Sequence, residues 1–568
     1  MKYRWQIEPQ VPVPDLTVLA ERTGLHPIIV RLLHARGYTT PAAIDEFIAP
    51  DLSTGHDPWL LADMEPAVEK IMEVVRSGGR IRIHGDYDVD GVSASALLVR
   101  VIASLGGEAD AYIPHRTEEG YGLNAEAVRT AHGDQIDLLI TVDCGISSIA
   151  EAALARELGL DLIITDHHTP GPELPDALAV INPHRVDCRY PFTDLCGVGI
   201  AYKVACALAP PTEGPSLLEY LDLVALGTTA DVVPLLGENR VFVKYGLPQM
   251  RRTLWPGLAA LIDRVGLTTG EITAGQVVFT LAPRINAAGR MADAGDALQL
   301  LLTDDPFDAA ELARRLDERN TERREADAVT LERAVEMVEE QGGVGDRYAL
   351  VLCSERWHPG VIGIVASRLV ERYHLPTVLV ALEGDQGRGS ARSIEGFDLY
   401  DALSECSDFL TEFGGHPYAA GLNICRDRLD EFTQAFEGVA RKHLVDNDIG
   451  PTLKVDCEVA IDDLTQDLLT GLKRLEPFGA RNRRPVFLTR NARLAAGARR
   501  VGSDGCHLKM QVKSENGRPI DAIGFNLGER IDETERGEVD LVFAFEENEF
   551  RGITRPQLRL RDLRPSAP

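Results

Sequence analysis

The sequence lacks the features of membrane proteins and of disulfide-rich secreted proteins. It contains no run of about 18 apolar residues, so we expect no membrane-spanning helix. Its nine cysteines are scattered and none form a Cys-x-x-Cys pair, which argues against a structural zinc site and a disulfide framework. Residues 1–6 lack the apolar core of a signal peptide. We therefore expect a protein of the reducing cytoplasm with no membrane partner.

Positive charge is also scarce. The chain has 59 Lys and Arg against 88 Asp and Glu, which gives a formal net charge of −29. A protein that merely coats nucleic acid takes its affinity from Lys and Arg, so the chain as a whole does not fit that class. Residues 473–513 are the exception, with eleven basic and two acidic residues. This stretch predicts either an ordinary solvated surface or a basic face on an otherwise acidic protein.

Hydrophobic patterning divides the 568 residues into five segments. Short apolar runs alternate with helical stretches in the second segment, which predicts βαβ units around a parallel sheet. The third is charged, Ala-rich and largely free of Gly and Pro, as expected of one long helix. The predicted segments are a helical cap (1–65), an α/β domain (66–307), a connector helix (308–343), a smaller α/β domain (344–447) and a small antiparallel β-barrel (448–568).

The strongest chemical signal is His84-Gly-Asp86-Tyr-Asp88-Val-Asp90-Gly91, which follows one apolar strand and precedes a helix. Four ionisable groups this close repel one another unless a cation offsets them. Three more apolar runs, each predicted to be a strand, lead to Asp143, to Asp166-His167-His168 and to Asp231. A single Asp after a strand is often a helix N-cap. Because sites in parallel sheets form outside the carboxyl ends of strands, four such clusters predict a metal centre.

The number of ligands fits two divalent cations. We predict Asp143 as the bridging carboxylate, and Asp86 either as a ligand or, like Asp166, as a group that orients ligands. Two-metal sites suit in-line displacement at phosphorus. If His167 binds metal, His168 is free to donate a proton to the phosphate or the leaving oxygen; a packing or ligand role is the alternative. The predicted ligands are His84, Asp86, Asp88, Asp90, Asp143, His167 and Asp231, and the predicted catalytic residues are Asp143 and His168.

These motifs resemble the signature of the DHH phosphoesterases, and further stretches resemble the RecJ-type nucleases within that family. The resemblance covers nearly the whole chain and includes residues 113–116, 195–199, 282–291, 357–363, 389–393 and 414–421. It implies an α/β fold: a parallel-sheet DHH catalytic domain, a long connector helix, a smaller α/β DHHA1 domain that binds substrate, and an OB-fold-like barrel at the C-terminal end.

The resemblance also implies a function. It is that of a single-stranded-DNA-specific 5′→3′ exonuclease, which releases 5′-mononucleotides in DNA recombination and repair with two Mn²⁺ or Mg²⁺ ions, Mn²⁺ being preferred. Implied protein partners are a single-stranded-DNA-binding protein and a RecQ-type helicase. The guanidinium fork suits phosphate oxygens, and aromatic rings stack on bases. The predicted substrate-binding residues are Arg116, Arg290, Ser390, Arg392 and His416, and the candidate stacking rings of the barrel are Phe478, Phe487, Phe525 and Phe550.

One departure and three alternatives accompany this interpretation. After Glu476-Pro-Phe-Gly479 the chain continues Ala-Arg-Asn-Arg-Arg-Pro485, where RecJ-like chains usually show a Gly-rich Asn-Pro stretch. We expect these arginines still to allow contact with a DNA strand. The first alternative is a smaller DHH hydrolase that acts on short oligonucleotides or cyclic dinucleotides. The others are a non-catalytic DHH scaffold of a replication complex and an inorganic pyrophosphatase.

Overall fold

The computed structural model describes residues 3–9, 15–115, 119–120, 122–209, 216–291, 294–445, 450–514, 519–535, 537–550 and 553–566. Three larger sheets, two of five strands and one of seven, form the centres of three domains. None of the helices in these ranges is long and apolar enough to cross a membrane.

The N-terminal segment is a small cap, and the domain that follows it is built on one parallel sheet. The cap comprises β1 (Arg4–Ile7), α1 (Leu16–Thr23), α2 (Pro27–Ala35) and α3 (Pro41–Ile48). The domain then runs through α4 (Met64–Ser77), β2 (Arg80–Gly85), α5 (Val89–Ser104), β3 (Glu108–Tyr112), α6 (Ala125–Gly133), β4 (Leu138–Val142), α7 (Ile149–Leu158), β5 (Asp161–Thr165) and β6 (Ala179–Ile181). The strand order is β3-β2-β4-β5-β6, all parallel, which confirms the predicted sheet.

The rest of this domain is helical, and here one prediction is wrong. The helices are α8 (Gly197–Leu208), α9 (Leu221–Ala230), α10 (Gly237–Met250), α11 (Pro256–Arg264), α12 (Ala274–Gln276), α13 (Ala282–Met291) and α14 (Gly295–Leu302), with a π-helical turn at Val277–Leu281. The predicted strand at 223–226 lies inside α9, whose residues 221–229 are all buried. A helix that is apolar on every side loses its 3.6-residue periodicity, so a short apolar run cannot distinguish it from a buried strand.

A single helix, α15 (Pro306–Glu340), connects the two α/β domains, as predicted. Its start is encoded locally: the Asp305 carboxylate accepts hydrogen bonds from the backbone N–H groups of Phe307 and Asp308, and Pro306 occupies the first turn. It packs against α11, α13 and α14 of the first domain and against the first helix of the next. Two glycines with positive φ, Gly342 and Gly343, follow its end.

The second α/β domain has a five-stranded mixed sheet with the order β10-β11-β9-β8-β7. Only the β7–β8 pair is parallel. One helix, α16, packs on the side of the sheet that faces α15, and two helices pack on the other side. The elements are β7 (Leu350–Ser354), α16 (Pro359–Tyr373), β8 (Thr377–Glu383), β9 (Gln386–Arg392), α17 (Leu399–Glu405), β10 (Glu412–His416), β11 (Ala419–Cys425) and α18 (Leu429–Leu444).

The C-terminal domain is built on the seven-stranded sheet β13-β14-β18-β19-β17-β16-β15. The prediction of an antiparallel barrel is correct for most pairs but wrong for two, because β13–β14 and β17–β19 are parallel. The elements are β12 (Thr452–Val455), β13 (Cys457–Glu458), α19 (Gln466–Arg474), β14 (Phe487–Ala492), β15 (Leu494–Val501), β16 (His507–Val512), β17 (Ile520–Gly524), β18 (Val539–Phe550) and β19 (Ile553–Pro565).

The N-terminal cap packs onto this distant C-terminal domain. Strand β1 pairs in parallel with β12, from Arg4 beside Thr452 to Ile7 beside Val455. Buried side chains of α2 and α3, among them Ile29 and Phe47, share one hydrophobic core with the barrel. The first and last segments of the sequence therefore fold together, and truncation of the barrel would expose the core of the cap.

A single buried arginine joins the cap, the first domain and the barrel domain. Arg240 of α10 is 2% exposed, and its guanidinium lies 3.9 Å from the centre of the Phe47 ring. It donates hydrogen bonds to the carbonyl oxygens of Phe47 and of residues 474–477, at 2.9 to 3.4 Å. Burial lowers its pKa to about 10, so it remains protonated at neutral pH.

The same junction explains the unusual segment after Glu476. Leu235 N–H donates to the carbonyl of Ala480, and Arg36 donates to the Asn482 side chain and the Arg483 carbonyl. Arg483 in turn lies 3.6 Å from carboxylates of Glu8 and Asp456. The segment therefore docks against the cap and the first domain, and of its three arginines Arg481 alone makes no hydrogen bond or ion pair with the described residues.

We predict that Arg240→Met destabilises the folded protein by about 3 kcal/mol or more, because it leaves several buried carbonyls without a donor. The measurement is chemical unfolding at neutral pH, followed by limited proteolysis of the cap. Arg252→Met removes an exposed arginine just beyond the same helix and serves as the control. Equal midpoints for the two variants would show that the three-way junction does not depend on Arg240.

Candidate metal centre and substrate cleft

The acidic and imidazole side chains lie where elements of the first domain end. The loop after β2 carries Asp86 and Asp88, and Asp90 follows in the first turn of α5; β4 is followed by Asp143 and β5 by residues 166–168. Asp88 caps α5 by accepting hydrogen bonds from the N–H groups of Asp90 and Gly91. Asp231 reaches the same place from the C-terminal end of α9 rather than from a strand. The predicted convergence at the sheet edge thus uses three strands and one helix.

Three overlapping groups of side chains have ligand atoms within 4.8 Å of one another. Asp143 belongs to two of the groups and His167 to two. The Nε2 atom of His167 lies 3.0 Å from Asp143 Oδ1 and 3.7 Å from Asp231 Oδ2. The groups are Asp86, Asp88 and Asp143; Asp143, His167 and His168; and Asp90, His167 and Asp231.

The protonation chemistry of this cluster fits divalent cations. Burial and neighbouring carboxylates raise the pKa of Asp90 to about 7 and raise the pKa values of Asp143 and Asp231 well above their usual range. Burial lowers the pKa of His167 to about 3, which leaves a neutral imidazole able to bind a metal. His167 Nε2 and Asp231 Oδ2 are buried and make no hydrogen bond with any described residue. A bound cation would offset the negative charge of these crowded carboxylates.

His84 belongs to none of these three groups. It is 1% exposed, and its Nε2 is 3.2 Å from the carbonyl oxygen of Gly122. Burial lowers its pKa to about 4, so the ring is neutral. Its predicted role as a ligand has no support from the three groups above.

Asp166 binds His168 and is not a member of the three groups of possible metal ligands. Its carboxylate accepts hydrogen bonds from the His168 backbone N–H at 3.0 Å, from His168 Nδ1 at 2.7 Å and from the Ile146 N–H at 2.9 Å. Burial opposes protonation of His168, but the bond to Asp166 and its negative charge outweigh this and raise the pKa. Because Asp166 binds Nδ1, any contact of the His168 ring with a metal ion or a substrate falls to Nε2.

Two glycines allow helices to approach the carboxylates closely. An added Cβ at Gly197, the first residue of α8, would lie 2.6 Å from Asp143 Cβ. At Gly227 of α9 it would lie 2.8 Å from Asp90 Oδ1. The Asp90 carboxylate also accepts hydrogen bonds from the N–H groups of Gly197 and Val198, so α8 directs its positive end at the cluster.

The cluster opens into a cleft of about 850 Å³ between the two α/β domains. The predicted residues Arg290, Ser390, Arg392 and His416 all line it, opposite the acidic wall that includes Asp86, Asp88, Asp143, His168 and Asp231. Arg116, also predicted, lies outside the described residues.

The wall opposite the acidic cluster carries Ser390 and Arg392, and we call it the basic wall. Close packing of α16 holds this wall in position. An added Cβ at Gly363 would lie 2.8 Å from both Arg392 Nη2 and Ser390 Oγ, and one at Gly360 would lie 2.2 Å from the carbonyl oxygen of Arg290. Arg392 donates to Ser390 Oγ at 3.0 Å and to the Ala391 carbonyl at 2.8 Å. Glycine at 360 and 363 is therefore what brings α16 against the arginines of the cleft.

Two cleft residues escaped the sequence-based prediction. Asn286 on α13 accepts a hydrogen bond from the Val89 N–H and so fixes the start of α5 beside the aspartates. It lies within the stretch 282–291 that resembles the family, but no residue pattern there predicts its contact with the acidic loop. Arg388 also lines the cleft, and the strict alternation of Arg388, Ser390 and Arg392 along β9 is a signal that could have revealed it.

Comparison with known families agrees with these three domains. Family models match the DHH family N-terminal domain at residues 80–228, the DHHA1 domain at 345–442 and the RecJ OB domain at 455–562. The single-stranded-DNA-specific exonuclease RecJ of Bacillus subtilis (strain 168) is 40% identical over 565 residues, which span 99% of this chain and 71% of that protein. The chain belongs to the RecJ family.

Solved structures of RecJ have the same overall fold. RecJ of Thermus thermophilus in complex with Mn²⁺ matches with a TM-score of 0.85 at 33% identity, over 99% of this chain and 79% of that one. Its complex with Mg²⁺ matches with a TM-score of 0.78 at 30% identity, over 99% and 78%. The family and the fold class expected from the motifs are thus both confirmed.

The crowded carboxylates lead to a test of the metal centre. We predict that Asp143→Asn raises the melting temperature in EDTA, because it removes a buried charge that neighbouring carboxylates repel. The raised pKa means that ionised Asp143 costs stability above its usual pKa, hence at neutral pH. The same variant should lose most of the stabilisation that Mn²⁺ gives the wild type.

Thermal unfolding with EDTA and with MnCl₂ measures both effects. Glu173→Gln, which neutralises an exposed acid in a loop of the same domain, is the matched control. If the Asp143→Asn protein gains as much from Mn²⁺ as the wild type does, Asp143 is not a ligand.

Proposed function

We propose that this RecJ family member is a single-stranded-DNA-specific exonuclease that hydrolyses terminal phosphodiesters from the 5′ end and releases 5′-mononucleotides. The observation that carries the proposal is the cleft itself. One wall presents the acidic cluster and the other presents Ser390 and Arg392, so a phosphate held by the second wall faces the first. The B. subtilis relative is named for single-stranded-DNA-specific exonuclease activity.

The donor set supports two divalent ions at the acidic cluster. Asp86, Asp88 and Asp143 would hold one, and Asp90, His167 and Asp231 would hold the other, with Asp143 and His167 close to both. When bound, such ions neutralise phosphate charge and lower the pKa of a water molecule towards neutrality. The mixed carboxylate and imidazole set suits Mn²⁺ better than Mg²⁺, which prefers oxygen ligands and retains its waters.

We propose that His168 handles the proton of the reaction. Asp166 fixes its Nδ1 and raises its pKa, so Nε2 carries a proton that it can donate. His168 also lines the cleft. We assign it the transfer of this proton to a phosphate oxygen or to the leaving oxygen, as predicted from the sequence.

Recognition of the strand end gives the reaction its polarity. Metals alone would cleave any phosphodiester that reached them. Arg392 and Ser390, joined by a hydrogen bond of 3.0 Å, form a pocket suited to a terminal phosphate. Arg290, whose guanidinium lies 3.5 Å from the Gly360 carbonyl, and His416 border the same space. Arg116 belongs to this pocket by prediction alone.

The barrel adds a surface for single-stranded nucleic acid. Strand register places Arg499, Lys509, Ile523 and Arg559 in one row across β15, β16, β17 and β19. Phe525 is 50% exposed beside them, with the Arg559 guanidinium 5.4 Å from its ring. Basic side chains next to an exposed ring fit phosphate contact with base stacking.

The other predicted stacking rings do not share this position. Phe487 is fully buried in the core, so its predicted role is wrong. Phe478 is only partly exposed and lies under the Arg484 guanidinium. The side chain of Phe550 lies outside the described part of the structure.

The competing functions fit this chain less well. Hydrolases of short oligonucleotides, cyclic dinucleotides or pyrophosphate have no need of the barrel domain matched at 455–562. A non-catalytic scaffold has no need of a buried, mutually repelling carboxylate cluster. The predicted protein partners, a single-stranded-DNA-binding protein and a RecQ-type helicase, rest on the family resemblance alone.

We predict that the wild type degrades 5′-phosphorylated single strands faster than 5′-hydroxyl strands, and that Arg392→Ala removes most of this preference by raising KM. Arg392→Lys keeps the charge but loses the planar fork, so it should restore only part of the preference. The measurement is steady-state hydrolysis of both strands in Mn²⁺. Equal rates of the wild type on the two strands would contradict the end pocket.

A further inference from the structure

Strand β9 presents three polar side chains to the cleft in strict alternation. Arg388, Ser390 and Arg392 line the cleft. The residues between them face the opposite side, where added Cβ atoms at Gly387 and Gly389 would meet core side chains of β8 and β11. Only Ser390 and Arg392 serve the proposed end pocket, which leaves Arg388 without a role.

The structure gives Arg388 no partner among the described residues. Its side chain is exposed, and it makes no hydrogen bond or ion pair with them. Its neighbour on β11, Asn423, donates to the Glu412 carboxylate at 2.9 Å, so that acid is already engaged. Arg388 therefore presents to the cleft a guanidinium that forms no ion pair within the described part of the chain, and the far wall of the cleft is strongly acidic.

Next to Ser390 in the register, and so between the rows of Arg388 and Arg392, lies a floor of two glycines that the fold does not itself require. Gly414 and Gly421 are paired across β10 and β11, and neither has a positive φ. An added Cβ would find no atom within 4 Å at Gly414 and only the Gly389 carbonyl, at 4.0 Å, at Gly421.

The neighbouring glycine shows the opposite case. Gly415 has a φ of +146°, and an added Cβ would lie 2.5 Å from the backbone of Ala419 and Ala420, so the hairpin itself requires glycine there. At 414 and 421 the missing side chains instead leave room above the sheet. Glycine in a strand weakens the strand and often marks a site where a ligand approaches the backbone.

We propose that Arg388 and the floor of Gly414 and Gly421 form a second phosphate subsite, which binds an internal phosphodiester of the single strand. The proposal rests on the proposed function and extends it. Arg392 lies four steps along β9 from Arg388, a distance of about 13 Å at the usual rise of a strand. A stacked strand rises about 3.4 Å per nucleotide, so this distance spans about four stacked nucleotides or fewer extended ones. The second subsite would thus be reached only by strands longer than a dinucleotide.

The first test is the length dependence of binding by the Arg388→Ala protein. The probes are 5′-phosphorylated oligothymidylates from two to eight nucleotides, with fluorescence anisotropy measured in EDTA, where the proposed function allows no turnover. We expect about tenfold weaker binding of the longest strands, the usual effect of losing one charge-assisted hydrogen bond, and unchanged binding of the dinucleotide. Arg372→Ala, at the far end of α16 from the cleft, is the control and should match the wild type at every length.

Equal loss at every length would overturn the proposal, because Arg388 would then belong to the end pocket. No loss at any length would overturn it as well. A wild type that binds long strands with this length dependence but hydrolyses none in Mn²⁺ would contradict the proposed function and leave the subsite intact.

The second test compares the melting temperature and the strand binding of one variant, for which we expect opposite effects. Gly421→Val places a β-branched side chain in the open space, so the melting temperature should stay the same or rise. Binding and hydrolysis of long strands should nevertheless fall, with a larger effect on KM than on kcat. A lower melting temperature would show that the space is needed by the fold, and unchanged binding would show that no ligand occupies it; either result overturns the proposal.

Discussion

Buried carboxylates that repel one another are the constraint on which the rest of this protein depends. Asp90 and Asp143 are almost wholly removed from water, and each has a carboxylate oxygen within 4.8 Å of an atom of another aspartate that could bind the same metal ion. Such a cluster costs folding free energy unless cations offset it. The surrounding fold supplies the compensation: a rigid parallel sheet that fixes the loops, the positive end of α8 at Asp90, and glycines at 197 and 227 that let helices close around it.

The acidic wall acts only if the basic wall stands opposite it, so the relative position of the domains matters as much as the cluster. The 35-residue α15 packs along both α/β domains, and α16 meets α13 through Gly360. On the other side, the buried guanidinium of Arg240 ties the first domain to the cap and the barrel. The cleft is thus a product of tertiary contacts that the motifs themselves do not contain.

Short sequence patterns predicted the features that depend on neighbouring residues in the chain, such as strands and the residues that follow them. Apolar strands followed by Asp or His predicted the sheet, which the structure confirms, and candidate metal ligands after β2, β4 and β5, several of which the structure brings together. The Gly-rich stretches pointed to Ser390 and Arg392, which line the cleft. Patterns fail where burial removes periodicity, as in α9, whose apolar run predicts a strand. Asp231 nevertheless reaches the cluster from the end of this helix. They were also silent on Arg240 and Asn286, because a single polar residue on a helix has no signature until the chain segments that it binds are brought together. The arginines after Glu476 were expected at the DNA, yet Arg483 and Arg484 form ion pairs within the protein.

We propose that the cleft hydrolyses single-stranded DNA from its 5′ end with the aid of metals bound by the acidic cluster. The most direct measurement is the digestion of a 5′-phosphorylated oligonucleotide that carries a fluorophore at its 3′ end, single-stranded or as a blunt duplex, in MnCl₂ or in EDTA. Only the single strand in Mn²⁺ should shorten, one nucleotide at a time, and the fluorophore should stay on the shortened strand. Early release of the labelled 3′ nucleotide, equal digestion of the duplex, or digestion in EDTA would contradict it.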